Sequence, residues 1–179
     1  ISQEPFIEIL KTLEEAESAN LIDWNAMNIA SVDQMNQPSS RMVLLKKISD
    51  DGLVFYTNYN SRKGKEIELN PKVAVNFWWR ELKKQIRVEG FIEKASEEDS
   101  DDYFNSRPLK SRVSAIISNQ SSKISSYEDL TNQIDNYLEQ NDESSIKRPD
   151  HCGLYVVIPN AVELWLSLIH ISEPTRRTI

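Results

Sequence analysis

The hydrophobic rhythm of the chain changes along its length. Phe6, Ile9, Leu10 and Leu13 recur at helical spacing, so residues 5–17 read as an amphipathic helix, with Pro5 tolerated in its first turn. From Ala26 to Lys94 the apolar positions shorten into strand-length runs at 27–32, 41–48, 53–57, 73–79 and 85–92. Between them stand turn-forming stretches: 33–38, ending in Pro38, then Asp50-Asp51-Gly52, then 80–83. Connections this short join antiparallel neighbours, which predicts a meander or a barrel.

One helix interrupts the strands at 61–69. Ser61 caps it and Asn70-Pro71 stops it. After Lys94 the helical period returns. Ser96 caps a helix that runs to Ser106 and opens with the acidic run 97–102. Contiguous carboxylates do not converge on a point, so this run reads as a solvated helix face and not as a metal site. Arg107-Pro108 ends that helix, a second spans 111–117, a polar loop spans 118–126 and a third helix spans 127–140. Together they form a helical insertion at about 96–141. Two last strands, 153–158 and 161–165, flank a turn at Pro159-Asn160. The expected class is mainly β with flanking helices (α+β), one domain over residues 1–165. Residues 166–179 continue neither period and resemble the translation of a sequencing-library adaptor. They are read as a foreign tail, and His170 is given no role.

Composition narrows the function. A net charge of -7 and a pI near 5.0 argue against nucleic acid as a partner, because phosphate backbones call for a basic surface. Cys152 is the single cysteine, so no intrachain disulfide forms. The expectation is a cytoplasmic protein with Cys152 as a small buried hydrophobe. No apolar run has the length of a membrane span, and no secretory leader pattern is present. Cations clustered locally in an acidic chain point to a small anionic ligand.

The helix at 61–69 carries Arg62 and Lys63 in its first turn, where cations oppose the helix dipole. The placement makes sense if an anion sits there; the alternative is a pair of solvated surface cations. Arg41, Lys46, Arg62 and Lys63 are therefore the candidates for holding phosphate. Tyr56, Thr57, Gln85, Gln120 and Ser121 are the candidates for bonding hydroxyls or ring edges, and Trp78, Trp79 and Trp165 for stacking. Flavin mononucleotide (FMN) fits this set, as would any phosphorylated aromatic ligand.

Seven motifs then occur in a telling order. They are Arg41-Met42-Val43-Leu44-Leu45-Lys46, Phe55-Tyr56-Thr57-Asn58, Ser61-Arg62-Lys63-Gly64, the Gln85–Gly90 stretch Gln-Ile-Arg-Val-Glu-Gly, Tyr103-Phe104-Asn105-Ser106-Arg107-Pro108, the 118–122 stretch Ser-Asn-Gln-Ser-Ser, and Glu163-Leu164-Trp165. In this order they resemble the pyridoxamine 5'-phosphate oxidase family, over about residues 5–165. The resemblance implies an FMN-binding split β-barrel of antiparallel Greek-key type, assembled as a homodimer with FMN at the subunit interface. It implies flavin contacts from Arg41, Met42, Val43, Leu44, Leu45, Lys46, Tyr56, Thr57, Arg62, Lys63, Gln85, Gln120, Ser121 and Trp165. Substrate contacts are implied for Lys46, Tyr103, Arg107 and Ser111.

The reaction so implied oxidises C4' of pyridoxamine or pyridoxine 5'-phosphate to pyridoxal 5'-phosphate, with O2 as acceptor and H2O2 as product. The cofactor carries the electrons, so no protein catalytic residue and no metal are expected. His151 beside Cys152 does not have the geometry of a base and its nucleophile. The chain also departs from the family. Arg112 and Ser114 stand where the family commonly has Gln and Gly, and the Arg-Leu-His-Asp-Arg segment that follows the family's Glu-Phe-Trp is absent after Trp165, along with the last barrel strand. Impaired activity is the expectation from that absence. Two other readings stay open: another split-barrel flavin reductase, or a non-catalytic binder of FMN or pyridoxal phosphate.

Overall fold

The structure is a computed structural model and describes residues 4–118, 120–121, 126–166 and 175–178. Its strands are β1 (Ala26–Val32), β2 (Pro38–Ile48), β3 (Leu53–Asn58), β4 (Lys72–Trp79), β5 (Lys84–Lys94), β6 (Cys152–Leu166) and β7 (Thr175–Thr178). The order is β3-β2-β1-β4-β5-β6, and β3 also pairs with β6, so six antiparallel strands close into a barrel. The run β4-β1-β2-β3 is the Greek-key order. The helices are α1 (Glu4–Ser18), α2 (Arg62–Leu69), α3 (Glu97–Ser106), α4 (Leu109–Ile117) and α5 (Tyr127–Gln140), followed by a 3-10 turn at Glu143–Ser145.

Three strand expectations are corrected. Pro38, read as part of a turn, opens β2 opposite Val32, a position where its missing N–H costs no ladder bond. The turn expected at Pro159-Asn160 does not form; β6 runs straight through. A Cβ on Gly52 would fall on the Val157 carbonyl, and one on Gly90 on the Ile158 carbonyl. Neighbouring backbone thus lies against β6 too closely for any side chain, which holds the strand extended past Pro159. Residues 175–178, read as lacking a strand pattern, pair antiparallel with Ala161–Leu164 of β6. A short edge strand is held by backbone bonds and shows little hydrophobic alternation. Residues 119, 122–125, 167–174 and 179 lie outside the described residues, and with them part of the expected 118–126 loop, most of the tail and His170.

The chain divides into two compact units. The first holds the chain up to Phe55, Glu66–Glu93 and the stretch from Val156; the second holds Tyr56–Lys65 and Lys94–Tyr155. In the first unit, alternate residues of the strands make the core: Met27 and Ile29, Val75, Phe77 and Trp79, and Ile86, Val88 and Ile92. On α1 the buried stripe is Ile9, Thr12, Leu13 and Ala16, while Leu10 is 42% exposed. Thr12 can be buried because its hydroxyl donates to the Glu8 carbonyl at 2.9 Å. Trp79, one of the expected stacking surfaces, is instead core: it stacks on Phe77 at 5.3 Å and its indole N–H donates to the Trp24 carbonyl.

The second unit packs Phe104, Val113 and Ile146 with Tyr56, Leu109, Ile116, Ile134, Tyr137 and Leu138. Full burial of each large apolar side chain contributes on the order of 1.5–3 kcal/mol. Ser96 and Ser126 cap α3 and α5 by accepting from the amides of Asp99 and Asp129, each at 3.0 Å. The acidic run is more than a solvated face. Glu97 and Asp101 both bind Arg148, whose side chain is only 6% exposed, and Arg148 Nη1 donates to the Cys152 carbonyl at 2.6 Å. Desolvation alone would lower the Arg148 pKa; hydrogen bonds to Asp101 and Glu97 outweigh it and raise it. Among the described residues no helix is long and apolar enough to cross a membrane.

Candidate functional site

In the second unit, strand β3 ends as helix α2 begins, and the link between them is tight. Asn58 accepts from the Asn60 amide at 2.8 Å, and Ser61 caps α2 by accepting from Gly64 N at 3.3 Å. A Cβ on Gly64 would fall on the Tyr59 carbonyl. This turn sets Thr57, Arg62 and Lys63 at one end of the unit. Lys63 is buried, and its ammonium donates to Gln120 Oε1 at 2.8 Å and Ser61 Oγ at 3.2 Å. Thr57 donates to the same Gln120 oxygen at 3.3 Å. The Arg62 amide donates to Ser121 Oγ at 3.2 Å, and Ser121 adopts a left-handed backbone with φ 68°, which is uncommon outside glycine and worth about 1 kcal/mol or more of strain. Five of the expected contact residues, Thr57, Arg62, Lys63, Gln120 and Ser121, are thereby brought together.

Tyr103 and Arg107, at the end of α3, converge on a sixth. The Tyr103 ring lies 5.0 Å from that of Tyr56, and the Arg107 guanidinium sits over the Tyr56 ring at 4.7 Å. A cleft of about 200 Å3 opens here, lined by Tyr56, Thr57, Asn58, Arg107, Ser114, Ala115, Ser118, Gln120 and Cys152. Among the described residues the buried Tyr56 hydroxyl and Arg107 Nη1 make no hydrogen bond of normal geometry. Buried polar groups left unpaired cost about 1–3 kcal/mol each, so both are poised for a ligand atom. Burial pushes the Tyr56 phenol far above its ordinary range; Cys152 adds to the shift and Arg107 pulls against it. Burial likewise pushes the Cys152 thiol up, against the pull of Tyr56, Arg107, Arg148 and Lys63. Its Sγ faces the Ala115 carbonyl at 3.6 Å. Ser111, expected at the substrate, is half-buried on α4 outside the cleft lining.

In the first unit, strand alternation divides the Arg41–Lys46 motif. Met42 and Leu44 are 60% and 42% exposed on one face with Lys46, while Val43 and Leu45 turn inward with Arg41. Arg41 is anchored: Nη1 donates to Ser31 Oγ at 2.6 Å and Nη2 lies 3.2 Å from the buried Glu66 carboxylate, which also accepts from Ser31 and Ser39. Gln85 donates to Asn76 Oδ1 at 2.6 Å. Trp78, 52% exposed, stands 6.1 Å from Trp165. Among the described residues no three His, Cys, Asp or Glu side chains are placed to hold a metal.

A family model described as pyridoxamine 5'-phosphate oxidase matches residues 13–140. The chain belongs to the pyridoxamine 5'-phosphate oxidase family. A family member from Nostoc sp. (strain PCC 7120), named pyridoxine/pyridoxamine 5'-phosphate oxidase, is 47% identical over 165 residues, covering 92% of this chain and 77% of its own. One of the same name, numbered 2, from Hydrogenovibrio crunogenus is 43% identical over 161 residues, covering 90% and 76%. Among solved structures, PhzG from Burkholderia lata 383, in complex with tetrahydrophenazine-1-carboxylic acid, superposes with a TM-score of 0.84 at 22% identity over 98% of this chain and 92% of that one. A pyridoxamine 5'-phosphate oxidase-related, FMN binding protein from Nostoc punctiforme superposes with a TM-score of 0.69 at 14% identity, covering 96% and 94%. At these identities the likeness concerns the fold, and the barrel described above is the family's split barrel.

The sequence reading missed Asn58, Ser114, Ala115, Ser118 and Cys152 as walls of the cleft. One signal was available: Ser111, Ser114 and Ser118 are spaced i, i+3, i+7 and share one face of the helical stretch. Arg148 carried no local signal, because its carboxylates lie 47 and 51 residues away.

Proposed function

We propose that the chain is an FMN-dependent oxidase of pyridoxamine and pyridoxine 5'-phosphate, forming pyridoxal 5'-phosphate in vitamin B6 metabolism, in the cytoplasm and as a homodimer. The observation that carries the reading is the pair of buried polar atoms, Tyr56 OH and Arg107 Nη1, that make no hydrogen bond of normal geometry among the described residues, in a cleft whose other polar walls include Thr57, Asn58, Gln120 and two serines. A guanidinium nitrogen and a phenol held apart from water suit an anionic or strongly polar ligand. With a volume of about 200 Å3, against about 300–1,000 Å3 for whole drug-sized ligands, the cleft takes one polar end of such a molecule.

The donor set fits a phosphorylated flavin as well. Thr57, Arg62, Lys63, Gln120 and Ser121 supply a hydroxyl, two cations, an amide and a second hydroxyl in one cluster. Arg41 through Lys46, Tyr56, Gln85 and Trp165 complete the proposed cofactor set, and Lys46, Tyr103, Arg107 and Ser111 the substrate set. When bound, FMN supplies the two-electron acceptor that links oxidation at C4' to O2, giving H2O2. What this chain's residues do is bind and orient. Arg107 and Tyr103 fix the anionic end of the substrate, and the buried, un-ionised Tyr56 offers a proton without presenting a charge. The alcohol gives aldehyde and H2O2; the amine takes up one water and also releases ammonia. Exposed Met42, Leu44 and Trp78 support a second copy as partner, since apolar side chains on a sheet face favour a covered interface.

The test is to load the purified chain with FMN and to measure pyridoxal 5'-phosphate and H2O2 from pyridoxine 5'-phosphate. Equal amounts of the two products are expected. A yellow protein that consumes no oxygen with either substrate would be a binder, and one whose flavin is reduced only by a nicotinamide donor would be a reductase; either result displaces the oxidase.

A further inference from the structure

Ser111, Ser114 and Ser118 lie on one side of α4 and its C-cap, and two of them, Ser114 and Ser118, line the cleft together with Arg107 and Tyr56. Ser114 is the informative one, because it brings a side-chain hydroxyl from α4 to the cleft wall. Its backbone is already committed, the carbonyl accepting from Ser118 N at 2.9 Å. Its hydroxyl makes no hydrogen bond among the described residues and is left for whatever enters. In the same cleft, Arg107 Nη1 and Tyr56 OH are buried and make no hydrogen bond of normal geometry among the described residues. An anionic oxygen bound in this cleft would find donors among the side chains that line it. A hydroxyl can donate to such an oxygen while the guanidinium neutralises its charge, and no desolvated donor is left over.

We propose that Ser114 is a substrate-binding residue of this chain, its hydroxyl donating to the same anionic oxygen that Arg107 holds. The inference rests on the reading of the cleft as the seat of the substrate's charged end. It gives this chain a polar contact that a glycine at the same position cannot make, so it strengthens selection for phosphorylated over unphosphorylated substrate. A hydrogen bond to a charged group corresponds to roughly tenfold or more in affinity.

The experiment compares Ser114→Ala with Arg107→Lys in the FMN-loaded protein. Alanine is a better helix former than serine, so α4 is not weakened and a binding defect is not a folding defect. For Ser114→Ala, KM for pyridoxine 5'-phosphate should rise roughly tenfold with kcat within about twofold, as for loss of an interaction made equally before and during reaction. The dissociation constant of pyridoxal 5'-phosphate, read from its own absorbance without turnover, should rise by the same factor. Ser114→Thr, which keeps the hydroxyl, should retain most of the affinity. If Arg107→Lys weakens binding and Ser114→Ala does not, the Ser114 inference fails alone. If neither variant changes the dissociation constant, the reading of the cleft fails with it.

Discussion

Tyr56 presents to a cleft a buried phenol that makes no hydrogen bond of normal geometry among the described residues, and its burial has a measurable signature. Burial raises its pKa from an ordinary 10.0, and burial does the same, less strongly, to Tyr59. A group whose folded pKa is raised contributes stability that is full below its unfolded pKa and is lost as pH climbs through the folded one. Ultraviolet titration of the six tyrosines should therefore show at least two ionising late. Tyr56→Phe should remove one of these and flatten the alkaline decline of stability. A single step for all six, or a curve that Tyr56→Phe leaves unchanged, would contradict the buried phenol. Residue chemistry was partly legible beforehand: Tyr56, Thr57, Lys63, Gln120, Tyr103 and Arg107 stand out by type and order. What could not be read was which atoms end up satisfied. Lys63 spends its charge on Gln120 and Ser61, whereas Arg107 keeps a nitrogen in reserve.

At the scale of elements, α2 shows how one position without a side chain governs a site. Glycine inside a helix ordinarily costs about 1 kcal/mol relative to alanine, so Gly64→Ala would normally stabilise. Here the added methyl would land on the Tyr59 carbonyl, and forced overpacking typically costs about 1–3 kcal/mol. The clash wins. Gly64→Ala should lower the denaturant midpoint and loosen Lys63 from Gln120; a raised midpoint would show that the Tyr59 turn yields freely. Element identities were legible because periodicity is local: α5 at Tyr127–Gln140 and the Ser96 cap of α3 follow from spacing and capping chemistry alone. β6 was misread because Pro159 is a turn signal in isolation, and only the neighbouring Gly52 and Gly90, distant in sequence, explain why the strand continues.

At the scale of the molecule, short connections announced antiparallel strands but not that β4 would lie beside β1 or that β3 would close on β6. Those pairings are long-range choices with no local mark. The charge distribution was similarly hidden. Counted along the chain, Arg41 is a cation offered to an anion; in the fold it shares a network with the buried carboxylate of Glu66. Arg148 is likewise spoken for by Glu97 and Asp101, and Arg112 by Glu143. A paired cation projects almost no field into solvent, while the chain as a whole carries -7. An approaching dianion should thus be repelled at long range and held only on contact, the reverse of electrostatic steering. The screening length falls from about 30 Å at 0.01 M salt to about 8 Å at 0.15 M. Stopped-flow association of pyridoxal 5'-phosphate should therefore speed up with added salt, and a steep slowing would mean that Arg41 is not cancelled. By balancing Arg41, the buried Glu66 would leave the capture of an anionic ligand to encounter frequency and contact chemistry instead of attraction from afar.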